Sequence, residues 1–276
     1  MARPKLTDAA RPATYEVEAF NERGEMVPTA IAGEHPLTLY LDKRELVTLM
    51  TLGHAPEALA IGYLRNQRIV ESIDDITAVQ VDWETDSVAV TTTKKIDLEK
   101  KIEKKTVTTG CGQGTVFGDL MQDIHKVRLR DDVQLSDAQL FLLVEKVRKH
   151  ETIYKQAGAV HGCALATREG GILMFVEDVG RHNAVDAIAG RMWLDAIDGS
   201  DKVFYTTGRL TSEMVIKCAQ MEIPFLVSRS GLTRMGHDIA HRVGLTMIGR
   251  ASGRHYLLFS GKHRLVRAAP QPTALA

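Results

Sequence analysis

Residues 203–228 read VFYTTGRLTSEMVIKCAQMEIPFLVS, and their rhythm decides the fold class. Val203–Thr207 reads as a strand, Thr211–Met221 as a helix whose start Thr211 or Ser212 caps, and Phe225–Ser228 as the next strand. Working outward, the pattern repeats. Gly162–Thr167, Ile172–Val176, Thr246–Gly249 and His255–Phe259 are further strand candidates, and His182–Ala196 and Thr233–Val243 further helices. Strand alternating with helix implies right-handed βαβ crossovers and a largely parallel sheet covered on both faces, an α/β fold. The last two strands are joined too tightly for a crossover, so one edge is expected to be antiparallel.

Upstream, Asp137–His150 is a strong helix with Ser136 placed to cap it and Leu140, Leu143, Val144 and Val147 as its apolar stripe; it bridges the two halves. The first half reads as α+β. Pro36–Asp42 alternates as a strand, Lys43–Leu52 and Pro56–Asn66 have helical spacing, and Ile76–Trp83 and Ser87–Thr93 form a strand pair. Asp97–Lys105 reads as a charged, solvated connector. The expected division is a disordered start over 1–13, a small α+β domain over 14–135, an α/β cofactor-binding domain over 136–265, and a flexible tail over 266–276.

Of the 276 residues, 44% are hydrophobic and 25% charged, with a formal net charge of +0. That balance is ordinary for a globular protein and gives no electrostatic footprint for nucleic acid or an anionic membrane. No apolar run approaches the ~20 residues of a membrane span. The cysteines, Cys111, Cys163 and Cys218, are too few and odd in number for a disulfide framework, which fits a reducing cytoplasm.

In such sheets ligands bind beyond the carboxyl ends of the strands. The loops there are Thr206-Thr207-Gly208-Arg209, Ser228-Arg229-Ser230-Gly231 and Arg250-Ala251-Ser252-Gly253-Arg254. Each joins glycine, hydroxyl and arginine, the chemistry of phosphate binding. Glu177-Asp178-Val179-Gly180-Arg181-His182-Asn183 also ends a strand. A capping Asp178 with a Glu177–Arg181 ion pair fits it, and so does a functional role in which His182 faces the site and Arg181 pairs with a carboxylate near the helix start. Cys111 lies in Thr108-Thr109-Gly110-Cys111-Gly112-Gln113-Gly114, where glycines leave the thiol unhindered. Cys163 and Cys218 fall in a strand and on a helix face and read as core. His161 reads as structural, or as a partner for a remote cysteine.

Several segments in order then resemble one family. Glu177–Asp186 is similar to the EDVGRHNAxD signature of FdhD/NarQ proteins, Gly158–Ala164 to their GxxHAA segment, and Gly208–Val215 to their SRxSxEMV stretch. Glu34–Leu37, Ala58–Leu64, Ile223-Pro224 and Gly244–Gly249 fit as well, so the resemblance runs from about Glu34 to about Leu265. It implies a cytidine deaminase-like C-terminal fold and a homodimer. It also implies a sulfurtransferase acting through a persulfide on Cys111, moving sulfur from a cysteine desulfurase to the molybdenum of a bis-guanylated molybdopterin cofactor (Mo-bis(molybdopterin guanine dinucleotide)). The client is a molybdenum-dependent formate dehydrogenase. The family's cofactor segment matches Arg250, Ala251, Ser252, Gly253, Arg254 and His255, and Arg209, Arg229 and His182 are added as cofactor-binding candidates. The family often reads CGxCG at the loop, whereas Gly114 stands here where a second cysteine is usual. That departure keeps a chaperone, which delivers the cofactor without transferring sulfur, as the alternative. A zinc deaminase is set aside and no zinc is expected, because the H-x-E and P-C-x-x-C patterns are missing.

Overall fold

A computed structural model describes residues 3–94, 96, 106–107, 114–115 and 124–267. The first half supplies β1 (Lys5–Leu6), β2 (Thr14–Phe20), β3 (Met26–Ala32), β4 (His35–Leu41), β5 (Arg44–Thr51), α1 (Pro56–Asn66), β6 (Ile76–Asp82) and β7 (Ser87–Thr92). The short strands β8 (Thr106–Val107) and β9 (Gly114–Thr115) pair with each other, and β10 (Leu135–Ser136) leads into α2 (Asp137–His150) and α3 (Ile153–Ala157). The second half runs β11 (His161–Ala166), β12 (Ile172–Asp178), α4 (Arg181–Leu194), β13 (Val203–Thr206), α5 (Ser212–Gln220), β14 (Phe225–Ser228), α6 (Arg234–Val243), β15 (Thr246–Ser252), β16 (His255–Ser260) and β17 (Leu265–Val266).

The second half is built on a six-stranded sheet of order β12-β11-β13-β14-β15-β16. Its strands carry apolar side chains to both faces. Phe204, Leu226 and Met247 pack on one side against α4, α5 and α6, while Val203, Tyr205, Phe225 and Val227 pack on the other against Leu140, Leu143 and Val147 of α2. Burial on both faces explains why these strands read as continuous apolar runs. α2 starts with a full capping box between Ser136 and Gln139.

Only β13, β14 and β15 are mutually parallel. β16 is antiparallel to β15, the antiparallel edge expected, but β11 is also antiparallel to both β12 and β13, so the other edge departs from the largely parallel sheet expected. The reason is the tight turn between β11 and β12, closed by Thr167 N–H donating to the Gly171 carbonyl at 2.8 Å, which is too short for a crossover.

The first half forms a five-stranded sheet, β1-β6-β7-β4-β5, with α1 against it. The helix expected over Lys43–Leu52 is strand β5. Asp42 and Lys43 both take positive φ (47° and 73°), making a hairpin turn where a helix would have begun. Leu46 bulges between the pairs Leu39↔Val47 and Tyr40↔Glu45, so Leu46 and Leu49 are both buried at a spacing of three that mimics a helix. The disorder expected over 1–13 is corrected for residues 3–13. Lys5 and Leu6 pair with Ala78 and Val79, Ala9 N–H donates to Glu57 Oε1 at 2.9 Å, and Arg11 stacks on the Trp83 ring at 4.6 Å. Val266, expected in the tail, pairs with Ser136, and residues 268–276 lie outside the described residues. The hairpin of β2 and β3 had no counterpart in the sequence reading.

The two halves meet where α1 crosses α4. A Cβ on Gly62 would stand 1.7 Å from the Asp186 carbonyl oxygen, and one on Gly190 would stand 1.9 Å from that of Ala58. Two glycines therefore let the helices pack backbone on backbone. Below them Asp186, fully buried, accepts from Asn66 Nδ2 and from Lys217 Nζ, both at 2.7 Å.

Candidate functional site

Because β13, β14 and β15 are parallel, the loops that follow them share one edge, where β12 also ends and β11 begins. These loops are tied together. Ser228 Oγ donates to the Gly208 carbonyl at 2.7 Å, Leu210 N–H to that of Gly231 at 2.9 Å, and Arg250 N–H to that of Ser230 at 2.9 Å. Arg250 takes φ 52°, a left-handed turn that a side-chain-bearing residue adopts at a cost. The edge is thus a braced rim.

Arginines line it. Arg209 is exposed after β13, and Arg250 and Arg254 are exposed around the β15–β16 turn with Ser252, Gly253 and His255. Ala251 is the exception within that segment, since its side chain belongs to the core under α2. Arg254 and Gly253 also border a groove of about 630 Å³ whose other wall is α2, including Asp137, Phe141, Glu145 and Arg148. Arg229 is held by Glu151 at 2.7 Å and lies over the Tyr154 ring at 5.1 Å. His161, half-buried at the start of β11, has its Nδ1 3.4 Å from Thr207 Oγ1. Burial pushes its pKa down, and the positive charges of Arg181, Arg229 and Arg209 push it further. Three guanidinium groups from three segments therefore bear on one imidazole.

The Glu177–Asn183 segment divides by residue. Glu177 receives the backbone N–H groups of Thr152, Ile153 and Tyr154 at 2.9–3.0 Å and so caps α3. Asp178 takes Thr51 Oγ1 at 2.6 Å from the end of β5 and Leu52 N–H just after it, and Gly180 N–H and Asn183 Nδ2 from the start of α4. Both carboxylates are spent on structure. Among the described residues Arg181 therefore has no carboxylate partner, and its Nε is buried with no hydrogen-bond partner. His182 is 2% exposed, with Nε2 3.2 Å from Glu213 Oε2. Burial, then Lys217 and Arg181, hold its pKa down at about 2, so it is neutral at physiological pH.

Cys111 and its neighbours Thr108–Gln113 lie outside the described residues, while β8 and β9 pair antiparallel on either side of them. Cys163 and Cys218 are fully buried. Burial pushes the Cys163 thiol up to about 12, against the pull of its bond to Thr206 Oγ1, and raises Cys218 well above its usual value. Neither is an exchangeable thiol at neutral pH. The sequence reading missed that Arg181 finds no carboxylate among the described residues, because nothing local shows that the carboxylates beside it are already engaged.

The FdhD/NarQ family profile matches residues 32–266. The chain belongs to the FdhD/NarQ family. Curated members include the sulfur carrier protein FdhD of Wolinella succinogenes, 30% identical over 84% of this chain and 81% of that one. The sulfur carrier protein FdhD of Sulfurisphaera tokodaii is 30% identical over 89% of this chain and 95% of its own length. The crystal structure of a protein assigned as a formate dehydrogenase accessory protein in Desulfotalea psychrophila superposes with a TM-score of 0.72, over 92% of this chain and 98% of that one. At 24% identity that likeness is one of fold. Among the described residues of this FdhD/NarQ chain no helix is long and apolar enough to cross a membrane.

Proposed function

We propose that this chain is a sulfur carrier for a molybdenum-dependent formate dehydrogenase. It takes persulfide sulfur on Cys111 from a cysteine desulfurase and passes it to the bis-guanylated molybdopterin cofactor, its cargo, before that cofactor enters the enzyme. Family membership and the relatives' names support the sulfur-carrying role. The observation that carries the cofactor side is charge. Arg181, Arg209, Arg250 and Arg254 share one braced edge, and among the described residues no carboxylate pairs with any of them. Guanidinium forks fit the diphosphates of a guanine dinucleotide. In this reading the second half is a cytidine deaminase-like unit, the protein is a cytoplasmic homodimer, and Arg209, Arg229 and Arg250–His255 hold the nucleotide ends. His182, neutral and buried, supports the site from beneath.

The sulfur step needs one thiolate. Cys111 attacks the terminal sulfur of the donor persulfide, the donor's S–S bond breaks, its thiolate leaves, and Cys111 retains the sulfur. Release of that sulfur as sulfide takes two electrons. With Gly114 in place of a second loop cysteine, they come from an external thiol that ends as a mixed disulfide with Cys111. The same Gly114 favours the second reading, a chaperone that delivers the cofactor without transferring sulfur.

Formate dehydrogenase activity in a host carrying only the Cys111→Ala form separates the two. Loss of activity, with folding and GDP binding intact, is expected. Wild-type activity would discard sulfur carriage and leave the chaperone. Mass spectrometry after incubation with a desulfurase and cysteine gives the matching check, a gain of one sulfur on Cys111.

A further inference from the structure

α6 has a core face and a solvent face. Ile239, Ala240 and Val243 are buried in the core, Arg234, Asp238, His241 and Arg242 are exposed, and His237 is half-buried on the flank between. The helix is fixed at both ends. Thr233 Oγ1 accepts the Gly236 N–H at its start, and Gly244 turns left-handed at φ 70° after its last residue. A regular helix stacks residues four apart on one face, one turn above the other. His237 and His241 are such a pair, and their Nε2 atoms stand 3.2 Å apart. His237-Asp238-Ile239-Ala240-His241 has the spacing of the H-E-x-x-H zinc helix, with aspartate in place of glutamate.

The separation fits a shared ion. Imidazole nitrogens bind a first-row divalent ion at about 2.0–2.1 Å, so two of them on one tetrahedral or octahedral ion lie roughly 2.9–3.4 Å apart. A hydrogen bond between the two rings fits the distance as well, but it sets donor and acceptor nitrogens head to head and drives the ring centres apart. Here the centroids are only 4.5 Å apart and the planes cross at 71°, so the two nitrogens lie side by side. Asp238 is the second observation. Its Oδ1 is 3.6 Å from His237 Nδ1, the nitrogen that faces away from the pair. A carboxylate at the far nitrogen is the usual companion of a metal-bound imidazole, because it takes the Nδ1 proton and leaves Nε2 bare for the ion. Its charge also offsets Arg234, 3.9 Å away.

We propose that His237 and His241 form a two-imidazole site for a first-row divalent ion of the zinc, nickel or copper class, oriented by Asp238. Among the described residues no group of three or more His, Cys, Asp or Glu gathers to hold a metal. The ion at this pair therefore keeps water in its other positions and exchanges readily, unlike a closed structural zinc. The site is not the deaminase centre set aside above, whose H-x-E and P-C-x-x-C patterns it lacks. It stands independently of the sulfur-carrier reading.

The test is a zinc titration of the full chain near neutral pH, read from the NMR signals of the histidine rings against free zinc. Ring-specific signals separate this pair from zinc taken up at Cys111. The His237 and His241 rings are expected to shift together with one midpoint and to return when a chelator is added. His241→Gln should weaken the zinc response of His237 by about tenfold or more, and Asp238→Asn by about tenfold, the loss typical of an outer partner. Both are exposed positions, and thermal melts check that the variants fold. Separate midpoints for the two rings, no shift of either up to millimolar zinc, or a His237 response in the His241→Gln chain equal to the parent's would overturn the proposal. An unchanged midpoint in the Asp238→Asn chain would overturn the role given to Asp238.

Discussion

Two buried cations in neighbouring helices have opposite surroundings. Lys217 of α5 meets Asp186 at 2.7 Å, and the other Asp186 oxygen is taken by Asn66. Among the described residues, Arg181 of α4 has neither a carboxylate partner nor a bond at Nε. The first arrangement welds α1, α4 and α5 together and offers nothing to a ligand. The second stores an unanswered charge at an edge where loops converge. A buried charge that is matched belongs to the fold, and one left unmatched at a rim marks where a partner of opposite sign fits.

The largest expected effect lies on the matched side. Asp186→Ala strands Lys217 in the core and should cost ~3–5 kcal/mol, read from the denaturant midpoint. A loss below ~1 kcal/mol would mean that water or a side-chain shift rescues the lysine and that the contrast is weaker than drawn. On the rim the cost should appear in binding instead. Arg254→Ala is expected to weaken guanine-nucleotide binding by ~1.5–3 kcal/mol while changing stability little, measured by calorimetry beside thermal melts. Undiminished GDP binding by an Arg209→Ala, Arg229→Ala, Arg254→Ala chain would remove the nucleotide reading.

Acid sharpens the comparison further. His182 has a folded pKa of about 2 against an ordinary 6.5, so the unfolded chain takes up the proton first. Its contribution to stability is complete above pH 6.5 and is lost progressively as pH falls from there toward 2. The slope is at most about 1.4 kcal/mol per pH unit. His182→Gln should flatten the fall of stability between pH 6 and pH 4, and an unchanged profile would place the acid sensitivity elsewhere. The smallest effect concerns Glu177. Glu177→Ala removes the acceptor for three N–H groups at α3 and should cost ~1 kcal/mol, with faster amide exchange confined to Thr152–Tyr154.

Much of the fold was legible. Ser136 caps α2 as the sequence led one to expect, and the helix read over Thr233–Val243 is α6. The strands of the second half fell where the apolar runs placed them. Reading failed where a local pattern had two solutions. Leu46 and Leu49 suit a helix or a bulged strand, and only pairing with β4 selects the strand. It failed again at Arg181, whose expected ion pair depended on carboxylates that the fold had already used.

The sequence by itself determined the alternation of strand and helix in the second half, the Ser136 cap of α2, the family, and a cysteine, Cys111, set among glycines. Each rests on residues a few positions apart, where periodicity and capping act. The tertiary structure alone decided which charges are satisfied. Asp186 meets Asn66 across 120 positions and Asp178 meets Thr51 across 127. Whether a charge is buried and matched depends on groups brought together from that far along the chain, so Arg181 became visible as a candidate binding group only after folding had paired its neighbours.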